Sequence, residues 1–247
     1  MDLHPAVARI AMWSGPRNIS TALMRSWGSR DDTIVCDEPL YAHYLANTGV
    51  EHPVVPDVID SQDNDGSRVI DEVILGPSPS PVRFFKHMAH HLIGLDLDFV
   101  DRVENVILTR DPTQMLTSLV HQVPDPTLNG TSLPMQVNLM ERTEASGKTP
   151  LVLDARLLLL DPEGVLRALC ERLGLEWEPE MLSWPAGPKP EDGVWAPHWY
   201  QNVHGSTGFA PYREKAEQVP ARLRGLLAEA TPLYERLLRH AIGEPDG

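Results

Sequence analysis

The chain has 247 residues, 42% of them hydrophobic, which suits one α/β domain with a substantial buried core. Twenty-one Lys and Arg against 35 Asp and Glu give a formal net charge of -14. That charge speaks against nucleic acid or an acidic membrane surface as partner and, less strongly, against a polyanionic sugar. Two cysteines, Cys36 and Cys170, cannot build a disulfide framework and read as buried thiols of a reducing cytoplasm. No secretory apolar segment precedes the first predicted strand, and no apolar run approaches the roughly 20 residues of a membrane helix. The expected compartment is therefore the cytoplasm.

The first predicted strand, Ile10 to Trp13, runs into the turn Ser14-Gly15-Pro16-Arg17-Asn18, and after Ile19 a helical pattern covers 20–29. Strand, tight turn and helix in that order make an anion site. The first amides of the helix lack intrahelical partners, and the helix dipole is positive there. Arg17 adds a full charge on a planar donor fork, while Ser20 and Thr21 add hydroxyls in the first turn. The loop resembles a phosphate loop without being a Walker A sequence, whose Gly-Lys-Ser/Thr ending is missing.

A second predicted strand, 33–36, leads to Asp37-Glu38-Pro39. Glu38 at its carboxyl end suits a general base if burial raises its pKa, or a helix-N-terminal carboxylate favoured by the dipole. A helix is predicted over 40–46. The stretch 51–66, rich in Pro, Asp and Asn, reads as a surface excursion, followed by a helix over 68–75 and a loop at 77–81. The strand predicted over 82–86 ends at Lys86 and His87, with His90 and His91 close behind. The spacing of His87, His90 and His91 would share one helical face, as metal ligands can. No carboxylate lies within that cluster and His-Glu-x-x-His is absent, so no metal is expected.

A fourth predicted strand, 106–109, ends in Thr109-Arg110-Asp111-Pro112, with Asp111 as N-cap and Pro112 at the first position of a helix over 113–121. Ser118 lies two turns into that helix. Helices over 133–145 and 163–173 flank a strand at 151–153, and the second of them carries an amphipathic apolar stripe. The stretch 184–212 is long, rich in Pro, Gly and aromatic residues, and without clear periodicity; its Trp and Tyr content argues against disorder. A C-terminal helix is predicted over 214–241. Alternating strands and helices predict an α/β fold, a parallel sheet flanked by helices on both faces, in one domain spanning 1–247.

Pro16-Arg17-Asn18-Ile19-Ser20-Thr21 resembles the Pro-Lys-Ser-Gly-Thr-Thr loop of the sulfotransferase family, with Arg17 in the lysine position. Arg110 and Ser118 match that family's strand–Arg-x-x-x-x-x-x-x-Ser–helix segment. The run from Val152 to Leu182 resembles its strand, acidic-Leu turn and Asp-Pro-capped helix. The resemblance covers about 9–182. It implies a P-loop-like fold binding 3′-phosphoadenosine-5′-phosphosulfate (PAPS), with residues 14–21 on the 5′-phosphosulfate and Arg110 and Ser118 on the 3′-phosphate. It further implies Lys86 on the sulfuryl oxygens, and His87, His90 or Glu38 as the base for a small-molecule hydroxyl or amine. Met88 occupies the family's usual histidine position. Lys189 to Trp195 resembles the family's loop over the nucleotide, and the acceptor pocket would draw on 39–44, 88–91 and 184–212. The acidic chain then needs Arg17, Lys86 and Arg110 to create a local positive cleft. Two alternatives are a P-loop kinase or NTPase, which needs Mg²⁺, and a non-catalytic module binding adenosine 3′,5′-bisphosphate. Proteins with this loop pattern also carry aminotransferase-like names, but no lysine–pyridoxal context is present.

Overall fold

A computed structural model describes residues 7–50, 54–214 and 216–243. Its sheet contains β1 (Ala8–Ser14), β2 (Thr33–Asp37), β3 (Val82–Met88), β4 (Glu104–Thr109) and β5 (Leu151–Asp154). The order is β2-β3-β1-β4-β5, and every neighbouring pair is parallel. The main helices are α1 (Ser20–Trp27), α2 (Tyr41–Thr48), α3 (Pro112–Leu119), α4 (Leu133–Ala145), α5 (Pro162–Leu173) and α6 (Arg224–Leu238).

Strand alternation sorts the side chains into two cores. Ile10 and Met12 of β1 join Phe84 of β3 and Leu108 of β4 beneath α1 and α5. Ala11 and Trp13 face the other way, with Phe85 and Ile107, beneath α4 and α6. A sheet buried on both faces needs apolar residues at successive positions, which is why β1 and β4 read as near-continuous hydrophobic runs. Cys170 is buried and Cys36 half-buried; both are free thiols.

The structure departs from the predicted elements where local sequence was ambiguous. The C-terminal helix begins at Arg224 rather than Glu214, after a 3₁₀ turn at Ala221–Leu223 that follows Pro220. Proline lacks the amide a continuing helix requires and disfavours helical backbone in the residue before it. The 184–212 stretch contains two one-turn helices, Ala196–Trp199 and Gln201–His204. The 51–66 excursion contains a helix at Val55–Ser61; its residues 51–53 lie outside the described ones. Among the described residues no helix is long and apolar enough to cross a membrane.

Candidate functional site

β1 lies between β3 and β4; the chain leaves β1 for β2 on one side, and β3 later connects across to β4 on the other, so a crevice opens at the carboxyl end of β1. The turn after β1 is built for close approach. A Cβ on Gly15 would fall 2.5 Å from the Thr131 carbonyl oxygen. The buried Ser14 hydroxyl donates to the Gly15 carbonyl at 2.9 Å, and Pro16 is half-buried beside it. Arg17 and Ile19 both sit in the left-handed region, at φ 62° and 61°. For non-glycine residues such backbone costs about 1–3 kcal/mol each and tends to occur at functional sites. Asn18 Nδ2 donates to the Leu108 carbonyl at 3.1 Å, tying the turn to β4. Gln136 of α4 donates to the Trp13 and Leu108 carbonyls at 2.9 and 2.8 Å, holding the ends of β1 and β4.

α1 then begins at Ser20 without a side-chain cap and without an acidic residue in its first turn. By contrast, Asp111, Asp154 and Asp161 each cap the helix that follows them. The first turn of α1, with Ser20 and Thr21 in it, shares its lack of a side-chain cap with α2, α4 and α6 and differs from them in having Arg17 and Arg110 close by.

Two segments distant in sequence meet at this turn. Arg17 Nε donates to Ser118 Oγ of α3 at 2.9 Å, and Arg110 Nη1, at the end of β4, donates to the Arg17 carbonyl at 2.6 Å. Both arginines are half-buried, and neither forms an ion pair with a described residue. Burial lowers both guanidinium pKa values, and for Arg110 the adjacent Arg17 lowers it further. Two neighbouring cations, neither ion-paired with a described residue, make a positive spot on an acidic protein, offset in part at Arg110 by Asp154 and Asp111. A cavity of about 330 Å³ opens beside Arg110, with Gln114, Arg156, Tyr212 and Tyr234 in its wall.

Lys86 does not join that positive spot, contrary to expectation. It is 1% exposed, and its ammonium donates to Asp37 Oδ1 at 2.8 Å, to Glu38 Oε1 and to the Tyr200 hydroxyl at 2.7 Å. All three N–H donors are committed, and two carboxylates neutralise the charge. Burial alone would weaken the ammonium's hold on its proton, but Asp37 and Glu38 raise its pKa well above the ordinary value. Glu38 is pushed upward by burial, drawn back by Lys86 and pushed up again by Asp37; the net direction is up. One cation between two carboxylates leaves a surplus negative charge, in keeping with the upward direction at Glu38.

The three segments expected to line an acceptor pocket meet around Glu38. Its Oε2 lies 4.0 Å from His91 Nδ1. The His91 ring stacks on Tyr41 and Tyr44, with centroids 4.9 and 4.6 Å away, and Trp195 meets Tyr41 edge-on. Tyr200, which no sequence motif marked, accepts from Trp195 Nε1 at 3.0 Å and donates to Asp37 Oδ2 at 2.7 Å. Arg25 of α1 grips Asp192 of the same stretch through both carboxylate oxygens, at 2.5 and 2.7 Å.

His87 points elsewhere. β3 continues to Met88, so Lys86 and His87 project to opposite faces of the sheet. The His87 ring stacks on Trp13 at 4.3 Å, and neither ring nitrogen has a hydrogen-bond partner. Burial, with a smaller push from Lys86, brings its pKa down to about 3. His90 Nδ1 pairs with Ser132 Oγ at 2.7 Å. The three histidines share no helical face, because His87 is in a strand and the others are in the 3₁₀ turn Ala89–Leu92. Among the described residues no three His, Cys, Asp or Glu side chains are grouped to hold a metal.

The state of His87 has a measurable consequence for stability. Its pKa falls on folding, so the unfolded chain takes up a proton that the folded chain refuses. The stability it contributes is complete above its ordinary pKa of 6.5 and is lost as pH falls toward 3. His87→Phe keeps a ring beside Trp13 and removes this slope. Urea midpoints at about pH 7 and about pH 5 will differ less in the variant than in the parent chain; an equal difference would exclude His87 as the source.

The parallel sheet with helices on both faces, and the crevice where Arg17 and Arg110 meet, make this an open-sheet α/β protein. Residues 8–241 match the family described as sulfotransferase domain, and the chain belongs to that family. Two curated relatives from Arabidopsis thaliana are similar to it. Branched-chain-amino-acid aminotransferase-like protein 2 is 38% identical over 232 residues, covering 94% of this chain and 41% of the relative. Branched-chain-amino-acid aminotransferase-like protein 1 is 39% identical over 232 residues, covering 94% and 42%. The chain thus spans about two fifths of the length of these relatives. Among solved structures, the sulfotransferase domain of the Synechococcus PCC 7002 olefin synthase aligns with a TM-score of 0.53 at 14% identity, covering 93% of this chain and 96% of that one. A sulfotransferase from Alicyclobacillus acidocaldarius aligns with a TM-score of 0.53 at 13% identity, covering 96% and 98%. At these identities the likeness is one of fold.

Proposed function

We propose that the protein is a PAPS-dependent sulfotransferase that moves a sulfuryl group to a hydroxyl or amine of a small-molecule acceptor. The observation that carries this reading is the meeting of Arg17, Arg110 and Ser118 at an uncapped helix N-terminus, with no carboxylate of a described residue ion-paired to either arginine. The turn over 14–21 receives the phosphosulfate in the manner of a P-loop, through backbone amides, Arg17, Ser20 and Thr21. Arg110 and Ser118 take the 3′-phosphate, and the cavity beside Arg110 is of a size to accept the nucleoside.

In the transfer step the acceptor oxygen or nitrogen forms a bond to sulfur as the bond from sulfur to the bridging phosphate oxygen breaks. The electron pair of that bond leaves with adenosine 3′,5′-bisphosphate. The acceptor's proton goes to Glu38, whose raised proton affinity suits a base and whose Oε2 lies on the His91 side, away from Lys86. Arg17 and the start of α1 stabilise the charge that grows on the departing phosphate. Lys86 serves chiefly as counterion to Asp37 and Glu38, since its donors are spoken for. His87, sealed against Trp13, does not take part.

A P-loop kinase or NTPase would need its strand-end carboxylates free for Mg²⁺; Asp37 and Glu38 are instead bound to Lys86. The aminotransferase-like wording of the relatives' names finds little support in this segment. A Schiff-base lysine must be able to lose its proton, and the pKa of Lys86 is shifted the opposite way.

Calorimetry tests the reading directly. Adenosine 3′,5′-bisphosphate will bind without added metal, and 5′-AMP far more weakly, because Arg110 and Ser118 recognise the 3′-phosphate. Equal affinities would refute that role. Incubation with ³⁵S-labelled PAPS and a metabolite extract would then identify the acceptor by its label.

A further inference from the structure

The Tyr200 hydroxyl is saturated. It has one proton to give and two lone pairs to fill. It donates to Asp37 Oδ2 at 2.7 Å and accepts from Lys86 Nζ at 2.7 Å and from Trp195 Nε1 at 3.0 Å. Tyr200 is 4% exposed and Trp195 2%. Asp37 Oδ2 also takes the Gly193 amide at 3.3 Å, so the 184–212 stretch contacts the carboxylate twice. Nothing in the fold requires a phenol here for packing alone. A phenylalanine would fill the same volume but leave Asp37, Lys86 and Trp195 each short of a partner.

We infer that Tyr200 is a positioning residue for the transfer, its hydroxyl fixing the Lys86 ammonium between Asp37 and Glu38 and so keeping Glu38 in its working state. The inference rests on the sulfotransferase reading of the site. The groups facing Glu38 are Asp37 from β2, Lys86 from β3, His91 from the turn after β3, Tyr41 from α2 and Tyr200 from the 184–212 stretch. Of these Lys86 favours the ionised carboxylate through a direct bond from its ammonium. Without the phenol, Asp37 Oδ2 loses a donor and draws the ammonium toward itself. Glu38 then loses part of its counterion and holds a proton more tightly.

The test is Tyr200→Phe in the full chain, with two readouts. In the transfer assay the acidic limb of kcat/KM is expected to move to higher pH by about half a unit or more, while KM for PAPS stays within about twofold. Independently of turnover, acetylation of Lys86 by an N-hydroxysuccinimide ester, followed by peptide mass spectrometry, is expected to run about tenfold faster in the variant. A fall in kcat with an unmoved limb and parental Lys86 acetylation would overturn the inference, because a purely structural contribution has that signature. If Tyr200→Phe does not fold, Trp195→Phe, which removes the N–H that Tyr200 accepts together with one ring of the indole, should shift both readouts in the same direction by less. Parental values for both would count equally against the proposal. A parent chain that transfers nothing would refute the sulfotransferase reading and with it a role for Tyr200 in transfer, whereas a transferring parent with parental Lys86 acetylation in the variant would refute the inference alone.

Discussion

Arg17→Ala is expected to lower kcat by roughly 100- to 1,000-fold, the usual cost of losing a donor aimed at developing charge. The loss should fall more on kcat than on KM, since the leaving phosphate becomes more negative as the sulfur bond breaks. Two features isolate the side chain as the cause. Arg110 bonds to the backbone carbonyl of residue 17, which alanine retains. The left-handed backbone at position 17 is no more costly for alanine than for arginine, both carrying a Cβ. The substitution therefore removes a charge and one hydrogen bond to Ser118 without a new conformational demand. Steady-state kinetics decide the matter, and an unchanged turnover number would reduce Arg17 to a helper of Ser118.

Glu38→Gln is expected to cost about 100- to 10,000-fold in kcat/KM, the range for a general base. Glutamine is close in shape and still offers an oxygen to Lys86, but it cannot take a proton. The pH dependence gives the complementary sign. A base must be unprotonated, so kcat/KM is full above the Glu38 pKa and falls as pH drops through it. Because burial raises that pKa, the fall occurs above the usual carboxylate range. His87→Phe should leave this limb in place. An active Glu38→Gln variant would remove Glu38 from the mechanism, leaving His91, 4.0 Å away, as the next base to examine.

Much of this architecture was legible in the chain. Strand positions followed from apolar runs ending in turn residues, and the placing of Arg17, Arg110 and Ser118 at one sheet edge followed from two strand–turn–helix segments, though their direct bonds to one another did not. What escaped was long-range or hung on a single residue. The bond between Lys86 and Tyr200 spans 114 positions, and nothing local to 184–212 reveals which aromatic residue reaches it. The face of His87 depended on β3 running to Met88, because alternation continues only as long as the strand does. Lys86 was expected to supply positive charge; Asp37, its partner across the β2–β3 register, cancels it. Such cancellation depends on register, which composition does not reveal.

Arg17 and Ile19 hold left-handed backbone in a domain whose whole margin against unfolding is typically about 5–15 kcal/mol. Glycine or asparagine would rest more easily at either position. A screen rewarding only heat resistance would therefore favour losing Arg17, whose side chain packs in neither core. It would spare Ile19 for longer, because Ile19 packs against the core under α1. Thermostable variants chosen without an activity assay would be expected to lose the anion turn first.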